Sequence, residues 1–384
     1  MDFLYKNFAA VTWQQVVMWL VGCILIWLAI RKNMEPALLL PMGFGAILVN
    51  IPFSGAINGS VGGEPVAGIL DWLFSVGIEA AEALPILLFI GIGAMIDFGP
   101  LLANPKLFIF GAAAQAGIFV TIIIAEALAG TGLPIFDFAL EDSVSIGMIG
   151  AADGPTAILV AMVLKSGYLA PIMVAAYSYM ALVPIVQPPV VKLITTKKER
   201  MIRMDYKPSQ VSKTTKIIFP IAVTLIAGLI APMSVSLVGF LMFGNLIKEC
   251  GVLNNLSETA QTAFANIITL LLGITIASTM KAAQFVDIKT VMIIVLGLFA
   301  FVFDTVFGVL CAKVMNLFSK NKINPIIGAA GISAFPMAAR VAQKLALSED
   351  PENHILMQAV GANVAGQIGS VVAGGAILSL VALV

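Results

Sequence analysis

Residues 146–158 read I-G-M-I-G-A-A-D-G-P-T-A-I, which places an acid, Asp153, beside Gly and Pro inside an apolar stretch about as long as a membrane crossing. Pro155 has no N–H, so the carbonyl of residue 151 loses its usual helical partner, and Gly154 relaxes the backbone beside it. In hydrocarbon, freed carbonyls and a carboxylate are tolerated only where protein or a water-filled cavity surrounds them. Together they make a cluster of hard oxygen ligands suited to a small cation such as Na+. The alternative is a kinked helix whose acid is protonated or satisfied by a neighbour.

Outward from this stretch the composition is 60% hydrophobic and 11% charged over 384 residues, which means many membrane-spanning helices. The fold class expected is an all-α polytopic membrane protein, with the lipid bilayer as its first partner. Formal net charge is zero and the basic residues gather in short loops, which argues against a nucleic-acid partner. Cys23, Cys250 and Cys311 lack metal-ligand spacing and His354 is the only histidine, which argues against a disulfide framework, a zinc site or a His-based triad. No phosphate-binding G-x-x-x-x-G-K-[ST] occurs, and the Gly-rich run 55–63 reads as an exposed loop.

In chain order, apolar runs at about 15–30, 36–52, 76–96, 107–130 and 168–190 read as crossings, with Arg31 and Lys32 closing the first on the cytoplasmic side. Residues 131–142 hold Asp137, Glu141 and Asp142 and no basic residue, as an external loop does. Residues 192–216 hold eight Lys or Arg, from Lys192 to Lys216, against Glu199 and Asp205, which places that loop in the cytoplasm. If 143–165 and 168–190 both crossed fully, the basic loop would fall outside. One of them therefore turns back, and Asp153-Gly154-Pro155 marks 143–165 as the re-entrant hairpin.

The second half repeats the plan. Runs near 217–232, 234–248, 262–280 and 290–312 precede Lys313, Lys320 and Lys322, then I-I-G-A-A-G-I-S-A-F-P at 326–336. I-G-A-A recurs at 149–152 and 327–330, and Glu126 and Asp304 are two acids in apolar surroundings at the same offset. The expected organisation is a first membrane repeat over 1–195, a basic cytoplasmic linker at 196–216 and a second, inverted repeat over 217–384. Each repeat has about five spans and a re-entrant broken-helix hairpin, the second around 324–344. Ten crossings, two hairpins and external termini result.

Hairpins entering from opposite faces meet near the membrane centre, bringing Asp153 to the break around Ser333 and Pro336. Pro336 frees the carbonyl of residue 332 and Ser333 adds a hydroxyl. The last span is rich in small residues and carries Asn363, Gln367 and Ser370. Asn363 is either a neutral oxygen ligand or an interhelical hydrogen bond. Arg340 either forks onto a carboxylate-bearing substrate or is a topogenic charge that snorkels to the interface. Glu126 and Asp304 read as structural or ion-path residues.

Four stretches, G-I-G-A-M-I-D-F-G-P-L-L-A-N-P (91–105), G-A-A-D-G-P-T-A-I (150–158), Y-S-Y-M-A-L-V-P-I-V-Q-P-P (177–189) and N-P-I-I-G-A-A-G-I-S-A-F-P-M-A-A-R (324–340), closely resemble the membrane-embedded beta subunit of biotin-dependent sodium-pumping decarboxylases. The resemblance runs nearly end to end, and the chain length is similar to that of the acyl-CoA members. It implies that carboxybiotin, loaded by a carboxyltransferase alpha subunit and delivered on a biotin carrier subunit, is decarboxylated here with export of Na+ across the cell (inner) membrane. It also implies a small membrane-anchored accessory subunit, and is compatible with a homo-oligomer. The family's functional residues fall on Asp153, Tyr179, Asn324, Gly328, Ser333, Arg340 and Asn363. Asp153, Ser333 and Asn363 then stand as Na+ ligands, Tyr179 as a hydroxyl near the ion or proton path, Arg340 as the carboxybiotin clamp, and Asn324 and Gly328 as shapers of the second hairpin beside bound biotin. A stand-alone Na+-coupled transporter shares this fold without the chemistry, and a bare membrane anchor is disfavoured by the polar residues kept at both breaks.

Overall fold

A computed structural model describes residues 2–61, 64–80, 82–204 and 211–381, and is helical almost throughout. Among the described residues seven helices are long and apolar enough to cross a membrane, or eight if the bent pair Ile69–Glu79 and Ala83–Met95 is one span. The seven are Trp13–Lys32, Pro105–Ala129, Leu169–Ile194, Lys213–Ile230, Asn254–Thr279, Ile288–Phe318 and Leu356–Val381. The two other expected crossings fall on helices Pro36–Val49 and Val235–Glu249, of 14 and 15 residues. At 1.5 Å per residue these reach about 21–23 Å, short of the roughly 30 Å hydrocarbon core.

The chain separates into two compact units, each drawing on both halves of the sequence: residues 1–88 with 262–292, and residues 89–261 with 293–384. In the first unit, Thr12 and Gln15 cap helix Trp13–Lys32 reciprocally, and this helix packs on Pro36–Val49. Buried Asn50 then fastens the unit's two chain segments. Its amide donates to the Ala46 and Met280 carbonyls, each at 2.8 Å, and its oxygen accepts the Ala282 N–H at 2.7 Å. The Gly-rich stretch expected to be a loop contains two short antiparallel strands, with Gly59 opposite Val66. Asn58 and Asp71 explain them. Asn58 donates its N–H to the Asp71 carboxylate and accepts the Gly68 N–H, holding together the outer ends of the two strands.

The second unit is organised by the two hairpins. The first consists of helix Leu140–Met148, a tight turn Ile149–Ala151, and helix Gly154–Val163. Between them Ala152 takes a left-handed conformation (φ 51°) and Asp153 is extended, so the backbone reverses without helical bonds. Asp142 at the start of the first arm accepts hydrogen bonds from Ser166 Oγ (2.7 Å) and Gly167 N (3.0 Å) at the end of the second. The chain therefore leaves the hairpin where it came in.

Helix Leu169–Ile194 runs from that mouth to the basic linker, a distance of about 39 Å for its 26 residues. At its far end lies the mouth of the second hairpin, built from helix Ile326–Ala329, an irregular turn and helix Met337–Glu349. Asn324 opens this hairpin by donating to the Arg200 and Ile202 carbonyls at 2.8 and 2.9 Å. Arg200 bonds Glu349 at 3.0 Å and Arg203 grips Asp350 at 2.7 Å, so the hairpin ends at the same linker residues. Lys313 joins them through the Ile194 carbonyl (2.9 Å) and Glu199 (3.3 Å). The positive groups of 192–204 and of the loop after helix Ile288–Phe318 thus share one end of the unit. Residues 205–210 of the basic linker lie outside the described residues.

Candidate functional site where the two hairpins meet

The breaks touch directly. The carbonyl of Ala151, denied a helical partner by Pro155, accepts Ser333 N at 3.2 Å and Ser333 Oγ at 2.6 Å. The carbonyl of Ile332, likewise left open ahead of Pro336, accepts the Asn363 amide at 2.6 Å. Three expected site residues, Asp153, Ser333 and Asn363, are therefore joined through one short run of broken backbone. The wall is apolar, with Ala114, Ala152, Val183, Phe301, Ile332 and Ala334 packed together.

Asp153 is 3% exposed, and no basic side chain pairs with it among the described residues. Three neutral donors converge on its Oδ2: Thr156 Oγ1 at 2.6 Å, Ser370 Oγ at 2.9 Å and Gln367 Nε2 at 3.2 Å. Burying a carboxylate costs several kcal/mol unless it is paired and hydrogen-bonded, and these contacts supply hydrogen bonds without a compensating charge. Asn363 is fully buried and leaves its Oδ1 without a partner. A buried acid, two hydroxyls and two amides suit a hard monovalent cation, once Gln367 rotates to present Oε1.

Residue order alone does not assign Thr156, Gln367 and Ser370 to Asp153, although each carries a signal. Thr156 sits three residues after Asp153 at a helix start, where side chains reach back to the cap. Gln367 and Ser370 follow Asn363 at four and seven residues, on one helical face.

The remaining candidates make no hydrogen bond to Asp153 among the described residues. The Tyr179 hydroxyl donates to the Ile294 carbonyl, and its ring stacks on Phe301 at 6.4 Å. The ring that reaches Asp153's neighbourhood is Tyr177: a Cβ on Gly154 would fall 2.4 Å from its Cζ, so glycine is what lets the ring approach this closely. Gly328 lies against the backbone of Gly308, whose carbonyl oxygen would be 2.1 Å from an added Cβ. Asn324 is fully buried, its amide spent on the linker carbonyls and its oxygen on Ile326 N. Arg340 is exposed on the helix leaving the second break and forms no ion pair among the described residues. Asp304 is fully buried, its carboxylate against Gly117.

The model of the family described as the Na+-transporting oxaloacetate decarboxylase beta subunit matches residues 14–381. The chain belongs to this family. It is 47% identical to the methylmalonyl-CoA decarboxylase subunit beta of Propionigenium modestum, over 99% of this chain and 98% of that one. It is 46% identical to the glutaconyl-CoA decarboxylase subunit beta of Acidaminococcus fermentans, over 98% and 96%. Its identity to the probable oxaloacetate decarboxylase beta chain of Vibrio cholerae is 43%, over 96% of each. A Na+-transporting decarboxylase beta subunit is a multi-pass membrane protein belonging to a multisubunit complex, in keeping with the seven apolar spans.

Proposed function

We propose that this chain decarboxylates carboxybiotin delivered by a partner biotin carrier and couples CO2 release to outward Na+ transport. Asp153 supports this most, as a buried carboxylate at the contact between two broken helices, surrounded by neutral oxygen and amide groups with Asn363 Oδ1 unclaimed. Asp153, Asn363, Ser370 and Thr156 hold the cargo ion in this reading. Ser333 contributes less directly, because its hydroxyl and N–H both bind the Ala151 carbonyl and so brace the first break.

Decarboxylation breaks the bond from the carboxyl carbon to the ureido nitrogen. The electron pair stays on that nitrogen, which takes up a proton, and CO2 leaves. Arg340 receives the carboxylate, its exposed guanidinium being free to fork onto it. Loss of that carboxylate removes one negative charge beside the second break while Na+ still occupies the first, and this change of field drives the hairpins to release the ion. Moving one positive charge outward against 100 mV requires about 2.3 kcal/mol. The carrier and a carboxyltransferase subunit supply carboxybiotin, and an acyl-CoA complex fits the two acyl-CoA relatives at 47% and 46% identity against 43% for the oxaloacetate relative.

The test is decarboxylation of free N-carboxybiotin by the purified complex with and without Na+, beside Asp153→Asn. Wild type is expected to be Na+-stimulated and the variant to lose at least 100-fold of that turnover. Unchanged Na+-stimulated turnover in the variant would overturn the assignment.

A further inference from the structure

Where the last turns of helix Ile288–Phe318 meet the linker, a groove of about 460 Å³ has a lining of two kinds. One part is aliphatic. Leu310, Val314 and Leu317 follow one another at four and three residues, which puts them on one helical face, and they are 41%, 53% and 77% exposed. The other part is ionic, with Lys198 and Glu199 from the linker, Lys313 from the helix and Lys322 from the loop after it. Glu199 is already engaged: one carboxylate oxygen accepts the Thr196 N–H and hydroxyl at 2.7 and 2.9 Å, and the other pairs with Lys313 at 3.3 Å. Lys198 and Lys322 form no ion pair among the described residues, so two positive charges in the groove are uncompensated.

Lys322 is held in place. The Asn316 side chain accepts the Ile323 N–H and donates to the Ile323 carbonyl, each at 2.7 Å, which folds the loop back onto the helix end, and the Lys322 ammonium donates to the Asn316 carbonyl. An ammonium has three donors, so two remain for a ligand. What fills the groove must be anionic at one end and hydrocarbon at the other. A soluble phosphate would meet the lysines and leave the aliphatic row in water, and a hydrocarbon chain alone would leave the charges unmatched. Helix Ile288–Phe318 is long and apolar enough to cross a membrane, and its last turns carry the basic groups, so the groove lies where lipid headgroups meet acyl chains.

We propose that this groove holds an anionic phospholipid, its phosphate between Lys198 and Lys322 and an acyl chain along Leu310, Val314 and Leu317. The site stands apart from the ion and substrate chemistry argued above. It bears on the linker all the same. Lys198 belongs to the linker and Lys322 to the loop, so one phosphate bridges the two segments. Ile202, which also lines the groove, is one of the two linker residues whose carbonyls receive Asn324 ahead of the second hairpin. The bound lipid therefore secures the segment on which that hairpin is mounted.

The test is native mass spectrometry of the intact, detergent-purified complex supplied in turn with phosphatidylglycerol, phosphatidylcholine and glycerol 3-phosphate. Lys198→Gln/Lys322→Gln is compared with Lys197→Gln/Lys320→Gln, which removes the same charge from the same two segments at positions outside the groove. All four are exposed side chains, so both variants should fold. Wild type and the second variant are expected to retain phosphatidylglycerol that the first binds about tenfold or more weakly, with phosphatidylcholine held weakly by all three. Equal retention by all three overturns the site. Equal loss in both variants overturns it in favour of diffuse surface charge. Glycerol 3-phosphate held as tightly as phosphatidylglycerol overturns the lipid in favour of a soluble anion, and a first variant that keeps the lipid but sheds a subunit does so in favour of an acidic protein segment.

Discussion

At the first break the chain places a carboxylate, Asp153, and surrounds it with donors from its own second arm and from helix Leu356–Val381. The second break carries no charge. It offers the Ser333 hydroxyl, the Ile332 carbonyl and a path to the linker, and its polar groups are spent on the first hairpin and on Asn363. Both hairpins repeat I-G-A-A and both interrupt a helix ahead of proline, yet only one places a buried carboxylate at its break. In the proposed reading the two breaks thus divide their work, the first holding the ion and the second bracing it.

Exchanging the two chemistries is the severest test of that division. Asp153→Ser combined with Ser333→Asp should be as inactive as Asp153→Ser alone. The new carboxylate would face the Ala151 carbonyl from the position where Ser333 Oγ now donates at 2.6 Å, setting acceptor against acceptor. Recovery of Na+-stimulated turnover would show the breaks to be interchangeable.

Next in size is Gly154→Ala, whose added methyl group must displace the Tyr177 ring. Overpacking of this kind costs about 1–3 kcal/mol, so the thermal midpoint should fall, and Tyr177→Leu in the same chain should restore part of the loss. Equal loss in single and double variants would separate Gly154 from Tyr177. Ser333→Ala should be milder, because the backbone N–H still reaches the Ala151 carbonyl at 3.2 Å. The missing bond is worth about 1 kcal/mol, expected as a several-fold higher Na+ requirement with stability nearly kept. An unchanged Na+ requirement would confine Ser333 to packing.

The smallest effect belongs to the linker. Hydrogen bonding and charge from Arg203 hold the Asp350 carboxyl below its ordinary range. The folded value is the lower one, so this contribution is present above the unfolded value of about 3.9 and is lost as pH falls through the folded value. Thermal midpoints measured downward from about pH 5 should show a slight acid decline in wild type that Asp350→Asn lacks. Identical profiles would leave the Arg203 pair without a stabilising role.

Much of this arrangement is legible in residue order. Proline after an intramembrane acid announces the first break, and the clustered lysines and arginines identify the segments that gather at one end. The partners of Asp153 are less legible. Helix Leu356–Val381 is small-residue-rich and buried on nearly all sides, so periodicity does not say which face meets Asp153, 214 residues earlier than Gln367. The tyrosines show the same limit. Tyr177 and Tyr179 lie about 200° apart around one helix, and which of them approaches Gly154 depends on a helix crossing that local sequence does not encode. Asn324 looks like a polar group kept for a ligand, and its bonds go instead to carbonyls of a segment more than 120 residues away.

That last contact has a mechanical meaning. Asn324 and Asn353 both hold the carbonyls of Arg200 and Ile202, one just before the second hairpin and the other just after it. The linker is thereby knotted to both legs of a loop whose tip rests on the first break. Shifting residues 200–203 therefore strains four hydrogen bonds at once, two to each leg of that loop.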